Sequence, residues 1–212
     1  MIGVFGGSFD PIHFGHIEPL TELSEIFDFS EIRLIPTHQS PINKLFSASA
    51  DHRYRMAAII ASSGSNNFVS DDVELRKEGI SYTYETIKII KKETNKEDLC
   101  LILGLDVFLN IETWYNYLEI LKEVNIIVIN RPDSDVKKIE NMNFEILDRI
   151  TSNKIDFLKN EKKQIFFYQM SSINISSTKI RNMIRKGKNP VGLIPGSIMS
   201  YIKRNKLYME KI

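Results

Sequence analysis

The chain has one cysteine, Cys100, among its 212 residues, and that scarcity excludes several classes of protein. A single thiol cannot form a disulfide within the chain, nor can it supply a cysteine-rich zinc site. Cys100 lies inside the apolar run 99–103, where a reduced thiol is expected to behave as a small hydrophobic side chain. A reducing compartment, the cytoplasm, is therefore the expected location.

The chain also lacks an excess of charge of one sign and long hydrophobic runs. Its 28 lysines and arginines are balanced by 27 aspartates and glutamates, so no global basic field exists to attract nucleic acid. No segment approaches the roughly 18 consecutive apolar residues that a membrane helix requires. Residues 1–7 lack the basic segment with which a signal peptide begins. We expect neither a nucleic-acid partner nor a membrane partner.

The composition is that of a folded globular protein. Hydrophobic residues make up 42% of the chain and charged residues 26%, which excludes disordered and low-complexity classes. A chain of 212 residues is long enough to bury a full core as one domain. We therefore expect a single domain over residues 1–212, in which residues 170–212 form a helical C-terminal subregion.

Short apolar runs alternate with longer amphipathic stretches, a pattern typical of β-α-β units. It predicts an α/β fold with a Rossmann-like, doubly wound parallel sheet. The predicted strands are residues 1–5, 31–35, 68–69, 99–103, 124–129 and 165–168. The predicted helices are residues 13–27, 51–61, 82–93, 178–186 and 196–205, with a peripheral helical stretch over 133–163. Helical spacing places Tyr54, Ala57, Ala58 and Ala61 along the helix 51–61.

The first predicted strand is followed directly by residues 6–16, with the sequence GGSFDPIHFGH. Two glycines allow the backbone to approach an anion closely, and the positive end of the following helix favours a phosphate. Asp10 and Pro11 fit the N-cap and the first position of that helix. His13 and His16 then lie on one helix face. A plain turn followed by surface histidines is disfavoured, because all of these features occur within eleven residues.

Residues 6–16 resemble a signature of the nucleotidyltransferase superfamily, whose T/H-x-G-H element corresponds to the sequence HFGH here. A second signature of that superfamily resembles residues 175–181, with the sequence ISSTKIR. The resemblance implies catalytic roles for His13, His16 and Arg181. It implies that ATP is bound by Gly6, Gly7, Ser8, Phe9, Gly15, Ser176, Ser177 and Thr178.

Within that superfamily, the middle of the chain resembles the bacterial nicotinate-nucleotide adenylyltransferases. The similar segments are 81–86 (SYTYET), 104–106 (GLD), 113–115 (TWY) and 130–132 (NRP). The resemblance implies that nicotinate mononucleotide is bound by Lys44, Thr83, Asp106, Trp114, Tyr115 and Arg131. Trp114, the only tryptophan, would stack on the pyridine ring, and backbone amides near Thr83 and Tyr115 would hold the carboxylate.

The reaction implied by this resemblance is the transfer of an adenylyl group from ATP to nicotinate mononucleotide, which gives deamido-NAD and pyrophosphate. Mg²⁺ would enter mainly through the ATP phosphates, so no dedicated cluster of protein metal ligands is expected. Asp106 would bind either a ribose or the hydrated metal. The sequence leaves the oligomeric state open, a homo-oligomer included.

The loop after the second strand departs from the family pattern. The family usually has P-P-H-K there, with a histidine directly before a lysine, whereas Lys44 follows Asn43 and the loop's histidine, His38, lies further upstream. Three other functions remain as alternatives. They are a sister adenylyltransferase with another acceptor, a nicotinamide-preferring enzyme of the same fold, and a non-catalytic nucleotide-binding regulator. The last would require a damaged phosphate motif, and both motifs are intact.

Overall fold

The computed structural model describes residues 1–64, 67–95, 98–130, 136–159, 163–170 and 175–209. Its strands are β1 (Ile2–Gly7), β2 (Glu31–Pro36), β3 (Phe68–Ser70), β4 (Leu99–Gly104), β5 (Asn125–Asn130), β6 (Ile150–Thr151) and β7 (Ile165–Gln169). Its α-helices are α1 (Phe14–Ile26), α2 (Ala50–Ala61), α3 (Thr83–Thr94), α4 (Leu105–Phe108), α5 (Tyr117–Glu123), α6 (Phe144–Leu147), α7 (Lys154–Lys159), α8 (Ser177–Arg185) and α9 (Gly196–Arg204). Short 3₁₀ helices cover Ile111–Thr113 and Val136–Asn141.

The described strands form one sheet in the order β3-β2-β1-β4-β5-β7-β6, and every neighbouring pair is parallel. From β1 the chain moves outward through β2 and β3, then returns to the other side of β1 with β4. The predicted doubly wound α/β fold is therefore confirmed. The order reverses between β1 and β4, and in such sheets the carboxyl ends of the strands at the reversal leave a crevice for ligands.

The sequence did not predict the helices α4 and α5, nor the edge strand β6. Residues 133–163 were expected to be a peripheral helical stretch, and the described part of that stretch contains α6 and α7 but also β6. β6 has only two residues, each paired with β7. A strand this short is below the length at which an alternating pattern is recognisable.

Two hydrophobic clusters pack on opposite faces of the sheet. Along β4, Cys100 and Ile102 belong to one cluster, whereas Leu99, Leu101 and Leu103 belong to the other. This alternation is the period-two geometry of a strand that is buried on both faces. The first cluster also contains residues of α1, α2, α8 and α9, and the second contains residues of α3 and α5. The predicted helical C-terminal subregion is thus packed against the sheet.

The buried side of α2 includes only one of the four residues that helical spacing placed along this helix. Arg53, Met56, Ala57 and Ile60 are its buried residues, whereas Tyr54, Ala58 and Ala61 are half-buried. The sequence pattern missed this face because it includes an arginine, whose burial depends on hydrogen-bond acceptors elsewhere in the chain. In the described part of the chain, no helix combines the length and the apolar character needed to cross a membrane.

Candidate functional site

The candidate site lies where β1 and β4 end side by side. Gly6 and Gly7 form the end of β1, and Gly104 is the last residue of β4. The residues that follow β1 lead into α1, and those that follow β4 lead directly into α4. This is the crevice at the reversal of strand order, the position at which ligands bind in open α/β sheets.

The two motifs predicted to bind phosphates meet at this position. The Ser177 hydroxyl donates to the carbonyl oxygen of Pro11 at 3.0 Å, across 166 residues of sequence. The Arg181 Nη1 donates to the carbonyl oxygen of Asp10 at 2.6 Å. A Cβ atom added to Gly15 would lie 3.1 Å from the His13 ring and 3.3 Å from the Ile175 side chain. A larger residue at position 15 would therefore push the two motifs apart.

Residues 6–9 run from the end of β1 into the segment that leads to α1. The Phe9 side chain is fully buried, so its backbone is the part left to contact a ligand. Ser176 caps α8 by accepting a hydrogen bond from the Lys179 amide at 3.3 Å. Ser177 and Thr178 are the first residues of that helix, whose positive end favours an anion.

His13 and His16 form a stacked pair at the N-terminus of α1. Their ring centroids are 3.8 Å apart with an interplanar angle of 26°. The His13 backbone amide donates to Nδ1 of His16 at 3.3 Å. Because Nδ1 accepts this bond, the proton of a neutral His16 ring is on Nε2, where it serves as a hydrogen-bond donor. The Phe9 ring contacts His16 edge-on, with centroids 5.4 Å apart, and helps to fix the orientation of the imidazole.

The start of α1 corrects one sequence-based prediction. Asp10 and Pro11 were expected at the N-cap and first position of the helix, but α1 begins at Phe14 with His13 as its N-cap. The Asp10 carboxylate does not cap α1 because it accepts other bonds, from the amides of Ser47 at 2.7 Å and Ala48 at 3.0 Å. The N-cap position is thus occupied by a residue of the predicted catalytic pair.

The loop after β2 brings Lys44 to the end of β1. Its Nζ donates to the Ser8 hydroxyl at 2.9 Å, which places this ammonium beside the predicted ATP-binding loop. His38 occupies a different position. Its backbone amide donates to the Ser81 hydroxyl at 3.2 Å, and its ring Nδ1 is buried without a hydrogen-bond partner among the described residues.

The segments predicted to bind the nicotinate ring also come together. Thr83 is the first residue of α3, and in the described structure its N-cap, Tyr82, makes no side-chain capping bond to the first turn. The Tyr115 ring lies against this helix end, with centroids 5.0 Å from Tyr82 and 6.1 Å from Tyr84. Trp114 is half-buried against the second hydrophobic cluster, so part of its ring is accessible.

Asp106 and Arg131 are the two remaining residues predicted to bind the mononucleotide. Asp106 is exposed in α4, just past the end of β4. A Cβ atom added to Gly104 would lie 2.8 Å from Asp106 Oδ1, so this carboxylate folds back over the strand end. Arg131 lies outside the described residues. The described residues contain no group of three or more histidine, cysteine, aspartate or glutamate side chains that could hold a metal ion.

The structure adds several polar residues that sequence reasoning missed. Arg53 is almost fully buried, and its Nη1 donates to the carbonyl oxygen of Ser8 at 2.9 Å. Burial lowers the pKa of the Arg53 guanidinium, and the charge of Asp10 opposes that shift. Tyr208, after α9, donates to Asp10 Oδ1 at 2.8 Å. No local pattern could identify these residues, because each contacts a partner that is distant in sequence.

Glu74 is a buried carboxylate beside the predicted nicotinate-binding segment. Its Oε1 accepts a hydrogen bond from the Thr86 hydroxyl at 3.0 Å, in the first turns of α3. Burial raises the pKa of the Glu74 carboxyl above its ordinary value of 4.5, although hydrogen bonds with Ser81 and Thr86 oppose the shift. The protonation state of the buried Glu74 carboxyl therefore affects the hydrogen bond with Thr86, near the start of α3.

This shift predicts the pH dependence of stability. The folded protein holds the Glu74 proton more tightly than the unfolded chain does, so its contribution to the free energy of unfolding is greatest below pH 4.5 and is lost as the pH rises through the raised pKa. Glu74→Gln keeps an acceptor for Thr86 but does not titrate. We expect urea unfolding to show that the variant gains stability relative to the wild type as the pH rises.

Glu78→Gln is the matched control, since Glu78 is an exposed carboxylate in the same loop. The difference in the free energy of unfolding between Glu78→Gln and the wild type should stay constant across the same pH series. Parallel stability curves for the wild type and Glu74→Gln would show that the buried carboxyl does not titrate differently on folding.

Comparison with known proteins identifies similar chains. The model of a family described as cytidylyltransferase-like matches residues 4–183. The chain is 34% identical over 210 residues to a probable nicotinate-nucleotide adenylyltransferase of Methylococcus capsulatus, with 99% of this chain and 100% of the relative covered. It is 33% identical over 208 residues to another protein so described, from Pseudomonas syringae, with 98% of this chain and 93% of the relative covered.

Solved structures agree on the fold. A nicotinic acid mononucleotide adenylyltransferase of Plasmodium falciparum, complexed with NaAD, matches with a TM-score of 0.74 at 22% identity, over 98% of this chain and 96% of that one. The same enzyme complexed with APC matches with a TM-score of 0.69 at 21% identity, over the same shares of both chains. At these identities the likeness concerns the arrangement of strands and helices.

Proposed function

The chain belongs to the cytidylyltransferase-like family and, within it, to the nicotinate-nucleotide adenylyltransferases, and on that premise we propose how its residues divide the work of the reaction. The enzyme transfers the adenylyl group of ATP to nicotinate mononucleotide, which gives deamido-NAD and pyrophosphate in a step of NAD biosynthesis.

The acceptor supplies its own nucleophile. The second pKa of a phosphate monoester is about 6, so the phosphate of the mononucleotide is largely a dianion at neutral pH. Its oxygen can attack the α-phosphorus of ATP directly, with pyrophosphate leaving on the opposite side. The protein then needs neither a general base nor a covalent intermediate. Its task is to align the two phosphates and to stabilise the charge that develops.

The convergence of the two motifs is the observation that carries the proposal for ATP. Ser177 and Arg181 both bond to backbone carbonyls of the loop after β1, so donors from both motifs surround one crevice. We assign the ATP phosphates to the backbone of Gly6, Gly7, Ser8 and Phe9, to the helix start at Ser176, Ser177 and Thr178, and to the side chains of His13, His16 and Arg181. Gly15 allows the close approach of the motifs.

The contact of Lys44 with Ser8 supports the proposal that the Lys44 ammonium lies near the point where the phosphates of ATP and the mononucleotide approach each other. An ammonium there would reduce the repulsion between the mononucleotide phosphate and ATP. Arg131 is assigned to the mononucleotide by resemblance alone.

The nicotinate ring is assigned to the space between α3 and the segment that contains Trp114. The contact of Tyr115 with Tyr82 and Tyr84 supports this assignment, because it brings the backbone near Tyr115 to the amide-rich start of α3. Backbone amides near Thr83 and Tyr115 would hold the carboxylate, and Trp114 would stack on the pyridine. A carboxamide would direct its own NH₂ at these donors, so the site should favour nicotinate.

Mg²⁺ is proposed as the metal, bound mainly through the ATP phosphates. Mg²⁺ commonly takes one or two carboxylates together with waters and phosphate oxygens, and the exposed Asp106 fits that donor set. A ribose hydroxyl is the other ligand that this carboxylate fits. When bound, the ion would neutralise charge on the phosphates.

We further assign the whole chain to one nucleotidyltransferase domain, supported by the first hydrophobic cluster, which contains residues of α1, α2, α8, α9 and the sheet. The cytoplasm is the proposed location, supported by the single, buried thiol of Cys100.

A pyrophosphate-release assay tests the proposed choice of acceptor. The enzyme is incubated with ATP and Mg²⁺ and, in separate reactions, with nicotinate mononucleotide, FMN or phosphopantetheine. We expect pyrophosphate to appear only with the pyridine mononucleotide and in equal amount to deamido-NAD. Release that depends on one of the other acceptors would assign the site to a sister adenylyltransferase, and binding of ATP without any release would favour a regulator.

A further inference from the structure

A segment after the last helix returns to the loop that follows β1. α9 ends at Arg204, and Tyr208 lies a few residues beyond it, buried in the first hydrophobic cluster. The Tyr208 hydroxyl donates to Oδ1 of Asp10 at 2.8 Å, across 198 residues of sequence. Burial and the nearby Asp10 charge raise the pKa of the Tyr208 hydroxyl far above its ordinary value, so the hydroxyl remains a donor at any working pH.

Asp10 joins four separate parts of the chain. Asp10 is 3% exposed, and its carboxylate accepts hydrogen bonds from the amides of Ser47 and Ala48 and from the Tyr208 hydroxyl. Its backbone carbonyl accepts the bond from Arg181, whose Nη1 is also 3.8 Å from Asp10 Oδ2. The loop after β1, the loop before α2, helix α8 and the segment after α9 therefore all meet at this one residue.

The loop held by Asp10 needs such support. Phe9, its neighbour, has a backbone φ of 47°, in the left-handed region that bulky residues rarely occupy. A residue in that conformation persists only when surrounding contacts impose it. Arg53 fixes the carbonyl of Ser8 on one side of Phe9, and the bonds to Asp10 fix the other side.

We propose that Tyr208 is a positioning residue for adenylyl transfer, which acts through Asp10 on the loop after β1 and on Arg181. The proposal rests on the function assigned to that loop and to Arg181 in holding ATP. Tyr208 is buried and contributes a hydroxyl that fixes the carboxylate, while the carboxylate fixes the backbone that faces the ATP phosphates. Its loss should therefore affect the ATP half of the site more than the segments at Thr83 and Trp114, which are assigned to the nicotinate ring.

The test is Tyr208→Phe, which removes the hydroxyl and keeps the ring in the core. Tyr201→Phe is the matched control, because the Tyr201 hydroxyl lies on α9 and also makes a 2.8 Å hydrogen bond, but to His52 Nδ1 on α2. We expect Tyr208→Phe to lower kcat/KM for ATP about tenfold, the size expected for losing a hydrogen bond to a charged group. KM for nicotinate mononucleotide should stay within about twofold, and Tyr201→Phe should match the wild type.

A merely structural role would lower the unfolding temperature of Tyr208→Phe without changing kcat or KM of the folded enzyme. An unchanged kcat/KM for ATP, or equal losses in both tyrosine variants, would overturn the proposal while leaving the wild-type reaction, and hence the assigned function, intact. If the wild-type enzyme formed no deamido-NAD from ATP and nicotinate mononucleotide, the assigned function itself would be overturned.

A double-mutant cycle with Asp10→Ala, which removes the acceptor of the Tyr208 hydroxyl, gives a second readout. If Tyr208 acts through Asp10, adding Tyr208→Phe to Asp10→Ala should cost much less than tenfold in kcat/KM for ATP, because the connection is already broken. Fully additive losses would show that Tyr208 acts by another route and would overturn the proposal.

Discussion

Replacing His16 by alanine should lower kcat by about 10²- to 10³-fold, which is the usual loss when one donor to a transition-state charge is removed. The His13 amide occupies Nδ1 of His16, so the neutral ring presents its Nε2–H to the crevice. That donor would strengthen its bond as charge develops on the phosphates during attack. Steady-state kinetics on the purified, folded variant measures the effect.

His16→Asn separates the two functions of the ring. The asparagine Oδ1 can still accept the bond from the His13 amide, as Nδ1 does, but the residue provides no donor at the position of Nε2. We expect His16→Asn to unfold at nearly the wild-type temperature and to be about as inactive as His16→Ala. His52→Ala, on α2, should remain active. A wild-type kcat in His16→Asn would exclude the proposed role.

The enzyme should prefer nicotinate mononucleotide over nicotinamide mononucleotide by a hundredfold or more in kcat/KM. Two charge-assisted hydrogen bonds from backbone amides near Thr83 and Tyr115 are worth roughly 1.5–3 kcal/mol each, and a carboxamide would lose them. Parallel measurement of pyrophosphate release with the two mononucleotides gives the ratio. Equal use of both acceptors would contradict capture of a carboxylate.

The Trp114→Ala variant tests the stacking contact that is proposed for the pyridine ring. Loss of an aromatic platform costs roughly 1–3 kcal/mol, so KM for nicotinate mononucleotide should rise about tenfold to hundredfold, with KM for ATP within about twofold. Trp114→Phe keeps a smaller platform and should lie between the wild type and the alanine variant. An alanine variant that is weakened only toward ATP would exclude stacking on the pyridine.

The strands in the interior of the sheet could be predicted from the sequence. β4 and the interior of β5 are apolar because helices cover both faces of the sheet, and such apolar runs are recognisable in a short window of sequence. The two phosphate motifs were recognisable for a similar reason, since each is contiguous. β6 was missed because two residues carry no periodicity.

The network around Asp10 could not be predicted in the same way. Local capping rules assigned Asp10 to the start of α1, but its carboxylate accepts hydrogen bonds from two amides of another loop and from the Tyr208 hydroxyl. Arg53 is buried for the same kind of reason, since its Nη1 donates to the carbonyl oxygen of Ser8, which is distant in sequence. Partners of buried polar groups are set by the tertiary fold, and a single sequence contains no periodic signal for them.

Direct in-line transfer of the adenylyl group between the two substrates is the central claim, and the stereochemical course at the α-phosphorus tests it most directly. The measurement uses ATP made chiral by a sulfur at the α-phosphorus, with nicotinate mononucleotide as acceptor. One direct displacement predicts inversion of configuration in the dinucleotide product. Retention of configuration would require two displacements through a covalent adenylyl-enzyme and would contradict the account.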